Sequence, residues 1–217
     1  MSGMFESASR FNQPLGSWDI RNVTNMRRLL RYASLFNQPI DTWNVCRVTI
    51  MSGMFAHVSS FNQPLSSWNT SHVTSMCYMF HNAGSFNQTI GNWKVRKLTD
   101  MEGMFMRARA FNQPIGCWDV NRVKTMSCMF HNALSFNQSI GYWDVSSAEY
   151  MVGMFYRALA FNQPIGHWDV TNVQMLDDFI DEAFSFNQPL YQWNVTEDAV
   201  RSAPHLWNHH AERVRLV

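Results

Sequence analysis

A right-handed α/β solenoid of eight 25-residue turns is the fold class this sequence predicts, and three observations lead to it. The tripeptide Phe-Asn-Gln begins at Phe11, Phe36, Phe61, Phe86, Phe111, Phe136, Phe161 and Phe186, with every interval equal to 25. A Trp stands seven residues after each of these, from Trp18 through Trp193. Between successive Phe-Asn-Gln units the apolar residues fall into two patterns, one alternating and one helical in spacing. Self-similarity at a fixed period of this length is the mark of stacked supersecondary units.

The elements can be taken in order, counting each Phe as position 1. Leu or Ile fills position 5, Trp position 8, and Ile or Val position 10 except at Thr70, with polar residues between. That alternation predicts one short parallel strand per turn. Val recurs at 13, Met at 16, Met-Phe at 19 and 20, and Ala at 23; thirteen of the 15 methionines lie at 16 or 19. Positions 16, 19, 20 and 23 share one face of a helix, so a short helix is expected there. Gln-Pro at 3 and 4 makes the turn into the next strand. One such turn cannot bury enough apolar surface to stand alone, so neighbours must supply the rest. A longer unit of two turns is also visible, since His81-Asn82-Ala83 recurs at His131-Asn132-Ala133 while Gly103 and Gly153 open Gly-Met-Phe in the turns that follow.

These elements predict one repeat domain over residues 1–217. Residues 1–10 read as a half-repeat cap, 11–195 as the eight repeats, and 196–217 as a helical cap with Ala203, Leu206, Trp207, His210, Val214 and Val217 inward.

The chain has 217 residues, 15% of them charged, and a net charge of +1. That balance argues against nucleic acid as a partner, which needs a basic face. No apolar run approaches the roughly 20 residues of a membrane span, and none was expected to bind a membrane. The opening Met-Ser-Gly-Met-Phe-Glu lacks the basic head and apolar core of a secretion signal, so a cytoplasmic or virion-associated protein is expected. Cys46, Cys77, Cys117 and Cys128 occupy four different repeat positions, which predicts free thiols.

Leu-x-x-Trp-x-Val at positions 5 to 10 is similar to the strand of leucine-rich repeats. The fuller string from Phe111 to Phe130, Phe-Asn-Gln-Pro-Ile-Gly-Cys-Trp-Asp-Val with Val-x-x-Met-x-x-Met-Phe after it, resembles the BspA-like family. Those 25-residue leucine-rich-like repeats occur in mycoplasma and other bacterial surface proteins, in some large DNA viruses and in protists. The resemblance spans residues 1–195 and implies a horseshoe-like solenoid used in attachment or protein interaction. It brings no catalytic residue and no cofactor. Leu29-Leu30 in place of Met-Phe, and Thr89 and Ser139 in place of Pro, depart from its pattern.

Asn and Gln at positions 2 and 3 recur in all eight repeats and are read as amides that satisfy the backbone of adjacent turns. Positions 7, 9 and 11 vary and point away from the core, where repeat proteins recognise partners. The binding residues expected there are Lys94, Arg96, Asp119, Tyr142, Asp144, His167 and Asp169. The three aspartates in register invite a cation, but Asn and Lys hold the same position elsewhere, which favours local Asx-type bonding. A Cys117–His167 nucleophile pair is two turns apart, about 10 Å, beyond hydrogen-bond reach. His205, His209 and His210 offer no third metal ligand, so no metal is expected. Upstream, Arg47, His72, Lys94, Arg96, Lys97 and Arg122 make the face bipolar, which suits a protein partner. The function expected is a non-enzymatic interaction scaffold using this sheet face. A surface adhesin or glycan-binding protein is the alternative, a repeat-scaffold hydrolase a more distant one, and self-association through exposed edges is also open.

Overall fold

The computed structural model describes residues 1–203, Leu206 and Arg215–Leu216. Successive 25-residue repeats lie one upon another. The position-1 phenyl rings stack on their counterparts 25 residues away at centroid distances of 5.9–6.1 Å along the whole series from Phe11 to Phe186. Indoles stack in the same way at Trp43 over Trp68, Trp68 over Trp93, and Trp118 over Trp143 at 6.5 Å and 3°. Each position-20 ring bridges the two columns: Phe105 lies 4.0 Å from Phe111 and 6.3 Å from Trp118. Nearly all these rings and the methionines between them are fully buried, so the apolar positions read from the sequence form one continuous core.

Backbone hydrogen bonds join the same layers, but along a different stretch from the one expected. Amides at positions 16, 18, 20 and 22 donate to carbonyls of the next repeat, as in Met101 to Thr125, Gly103 to Ser127, Phe105 to Met129 and Arg107 to His131, at 2.7–3.1 Å. The intervening amides donate three residues back, as Met104 to Met101, Met106 to Gly103 and Ala108 to Phe105. Single parallel bridges at position 15, from Asn25–Ile50 to Tyr150–Met175, continue this ladder.

Residues at positions 18 and 22 take positive φ in every layer from Gly3 and Ser7 to Asp178 and Glu182, such as Gly103 at +57° and Arg107 at +58°. The segment expected to be helical is therefore a run of linked turns, the first and last of them with the third residue left-handed as in a type II turn. A helix would keep φ negative and spend these amides four residues back. Eight isolated helical residues gain little by themselves. The same residues in turns keep Met and Phe inward while releasing every second amide to the neighbouring repeat. Non-glycine residues in the left-handed region cost about 1–2 kcal/mol each, and the ladder offsets that cost.

The stretch expected as a strand is likewise two turns, closed by Trp118 to Ile115 at 3.1 Å and Val123 to Val120 at 2.9 Å. The alternation survives, with Trp118 and Val120 buried and Cys117 and Asp119 exposed between them. Here the layers are held by side chains. Each position-2 carboxamide oxygen accepts from the amide of the next Asn and from the next Gln side chain; Asn112 takes Asn137 N–H and Gln138 Nε2, both at 2.9 Å. Every position-8 indole from Trp43 to Trp193 donates to the position-5 carbonyl of the preceding repeat, as Trp118 Nε1 to Ile90 at 3.2 Å. Thr70, the one polar residue at position 10, is buried but satisfied, since its hydroxyl donates to the Lys94 carbonyl and accepts the Lys94 amide.

Position 18 carries the two-repeat period, with a steric clash behind it at Gly103. Position 18 alternates between glycine and a larger residue, and the larger side chain lies over the glycine of the next layer. A Cβ on Gly103 would stand 2.3 Å from the Tyr78 ring, and one on Gly153 would be 3.7 Å from Cys128 Sγ.

The ends differ from the middle. Residues 1–9 supply half a layer: Gly3, Phe5 and Ser7 donate to Arg27, Leu29 and Arg31, and Phe5 stacks on Phe11 at 4.2 Å. This half layer covers Trp18 only with the tilted Phe5 ring, 5.7 Å away, and Trp18 is 37% exposed where Trp43 is 3%. At the other end strand β1, Asn194–Val195, leads through an N-capping Thr196 into helix α1, Glu197–Ser202. Strand β1 pairs in parallel with β2, Arg215–Leu216. Of the inward residues expected in the final segment, Ala203 and Leu206 are buried. Trp207, His210, Val214 and Val217, with His205 and His209, lie outside the described residues.

Candidate functional site

All seven residues expected to bind are exposed and lie in register on one flank of the stack. Tyr142 is 93% exposed and its ring centroid is 6.4 Å from that of His167 in the next layer. Lys94 and Arg96 make no ion pair with a described residue. The aspartates do not converge on a common point. Each oxygen turns back to its own chain: Ser146 N–H and Oγ donate to Asp144 at 3.1 and 2.6 Å, and Thr171 N–H and Oγ1 to Asp169 at 3.1 and 2.7 Å. The Asp119 contact to Asn121 N–H is looser, at 3.5 Å. Asn44 and Asn69 accept the same bond from residues 46 and 71, which is why Asn can replace Asp at this position. The carboxylates thus stabilise local turns while keeping their charge at the surface.

Cys117 does not approach His167; its Sγ lies 3.2 Å from the Gly91 carbonyl. All four cysteines are unpaired. Among the described residues no three His, Cys, Asp or Glu side chains are placed to share a metal ion. No described helix is long and apolar enough to cross a membrane. On the same flank, a shallow groove of about 500 Å³ runs between Asp41, Thr42, Asn44, Ser67 and Asn69, floored by Trp43 and Val45. It opens where Asp41 and Ser66 replace the glycine that position 6 carries in five of the repeats.

Sequence reasoning missed the opposite flank, because positions 17, 18, 21 and 22 were assigned to the outer side of a helix. Turns bring these positions onto one surface with the neighbouring layers. Arg27, Arg28 and Arg31 meet Ser52, Gly53, Ala56, Cys77, Tyr78 and His81 around a cavity of about 310 Å³. Beside it Tyr32 stacks on His57, with centroids 4.4 Å apart, and His57 meets His81 edge-on at 4.6 Å. Burial, then the charges of His57, Arg107 and Arg31, press the His81 imidazole down to about 4, and His57 and His131 are lowered for the same reasons. Burial raises the Cys77 and Cys128 thiols above their ordinary range, so neither is an activated thiolate. Tyr78 donates to Glu102, which together with burial pushes its phenol up. The only available sequence signal was the run Met26-Arg27-Arg28 with Arg31 three residues later.

No protein of curated function matches the chain. The family described as "Mycoplasma protein of unknown function, DUF285" matches it twice in tandem, over residues 1–118 and 104–211. Those two matches span nearly the whole sequence, and the chain is a repeat protein belonging to that Mycoplasma family.

Proposed function

We propose that the chain is a non-enzymatic scaffold that holds a protein partner on the flank carrying positions 7, 9 and 11. In this reading the stack is a right-handed, leucine-rich-repeat-like solenoid of the BspA-like kind, one domain from end to end. The observation that carries it is Tyr142, a large aromatic side chain 93% exposed beside His167 and flanked by exposed charges at Lys94, Arg96, Asp119, Asp144 and Asp169. Exposed aromatic side chains among charged ones are the usual anchors of protein interfaces. The residues that repeat without change are already engaged in stacking, which leaves the variable exposed ones to set specificity. Unpaired thiols suit a reducing setting, the cytoplasm or a virion interior.

The test compares wild type with Tyr142→Ser/His167→Ser as bait against extract of the source organism, followed by cross-linking from position 142. A single stoichiometric protein, retained by wild type and lost by the variant, is the expected result. Identical recovery on both baits contradicts the proposal. Binding of a glycan array, abolished by the same variant, would replace the protein partner with an adhesin's ligand.

A further inference from the structure

We propose that the cavity between Arg27, Arg28, Arg31 and His81 is a binding site for the tetrahedral oxyanion of a small molecule, a phosphate or sulfate ester. The cavity exists because one row of side chains is missing. At position 21 successive repeats carry Glu6, Arg31, Ala56, His81, Met106, His131, Tyr156 and Asp181, so Ala56 alone is too short to fill its layer. Its neighbours at positions 17 and 18 are Ser52 and Gly53, and all three are buried beneath the larger rows on either side. The other glycine layers are closed: the Tyr78 ring lies across Gly103, and beside Gly153 Tyr156 reaches over to bond Glu182 at 2.7 Å. At Gly53, where the Arg28 stem packs at 3.5 Å and the short Ala56 Cβ at 4.0 Å, the space stays open.

The walls of that space decide its ligand. Three arginines are among its lining residues, and no acidic residue is. Arg31 pairs with Glu6 at 3.3 Å and is held over the Tyr32 ring at 4.8 Å, which fixes its direction. Arg27 and Arg28 form no ion pair with any described residue, so two charges remain without a counter-ion beside a concave surface. Like charges gathered in this way repel until an anion joins them. Guanidinium presents its donors as a planar fork that matches a phosphate or sulfate edge. The volume, about 310 Å³, is at the small end of ligand sites and suits one small ester rather than a polymer. The site is on the opposite flank from Tyr142 and is independent of the partner surface proposed above.

Titration calorimetry of the full chain with inorganic phosphate, at ionic strength fixed with chloride, tests the site, and a parallel titration with sulfate separates the two esters. One saturable site per chain is expected. Saturation by both anions supports a site for either ester, and by phosphate alone a site for a phosphomonoester. Arg27→Gln/Arg31→Gln should weaken binding at least tenfold. Ala56→Met keeps every charge but plants in the gap the side chain that Met106 carries one block later, and it should abolish binding. Near-ultraviolet circular dichroism confirms that each variant is folded before it is scored. A heat that never saturates in wild type, or Ala56→Met binding as wild type does, overturns the proposal.

Discussion

The two flanks of the stack are joined by different chemistry. On the flank of positions 1–11 side chains make the joints: carboxamides bond the amides of the next layer and indoles bond the carbonyls of the previous one. On the flank of positions 14–22 the backbone makes them directly, amide to carbonyl, 24 residues apart. A joint made by a side chain fixes the residue that makes it, which is why Asn at 2 and Trp at 8 are the same in all eight repeats. A backbone joint leaves the side chain free, so positions 17, 18, 21 and 22 range over Gly, Arg, Tyr, Cys, His and Asp. On the side-chain flank variation is confined to the outward positions between the joints, such as 7, 9 and 11, while on the backbone flank it extends to residues whose own amides do the joining.

This contrast can be broken in graded steps. Trp118→Ala removes a buried indole from the side-chain flank together with its bond to Ile90, and should cost about 3–5 kcal/mol, read as a lowered denaturation midpoint. On the backbone flank Gly103→Ala must fit a Cβ against the Tyr78 ring at a φ of +57° and should cost about 2–3 kcal/mol. Tyr78→Ala in the same chain should recover the steric part only. Gly153→Ala, with Cys128 Sγ at 3.7 Å, meets only the backbone penalty, about 1 kcal/mol. Equal losses at the two glycines would contradict the steric clash at Gly103. Asn112→Ala strands the Asn137 amide and the Gln138 side chain, at about 1–2 kcal/mol, and Gln should not substitute for it.

Acid probes the backbone flank differently. His57, His81 and His131 all have folded-state values below 6.5, His81 at about 4, so the unfolded chain takes up protons first. The histidines' share of the stability should therefore decline as pH falls from about 6.5 towards 4 and level off below that, where protonation of Asp19 and Glu182, both held low by arginine partners, takes over. His81→Gln should flatten the profile in thermal unfolding measured across that range. The smallest effect is expected at Tyr142→Ser, within about 0.5 kcal/mol, because that ring is exposed.

Much of this was legible in the sequence. The 25-residue period fixed which residues face the core. The recurrence of Asn12-Gln13 through Asn187-Gln188 pointed to amide bonding between layers, and the exchange of Asp119 for Asn44 at one position pointed to Asx turns. The path between core residues was not legible. Positions 16, 19, 20 and 23 have helical spacing, yet the same residues face inward when 18 and 22 turn left-handed. Glycine at 53, 103 and 153, and Asn at 82 and 132, were the signs of that conformation, since these residues enter it most readily. The arginine-lined cavity was hidden by the same misreading. Its cause is a single short side chain, Ala56, whose importance appears only when the layers above and below are in place.

Scalar couplings across hydrogen bonds, measured by NMR on a deuterated, isotopically labelled sample, test the layered joints most directly. The Phe105 amide nitrogen should couple to the carbonyl carbon of Met129, and Gly103 to that of Ser127. Coupling of Phe105 to Met101, four residues back, would mean a helix in place of the ladder and would contradict this account.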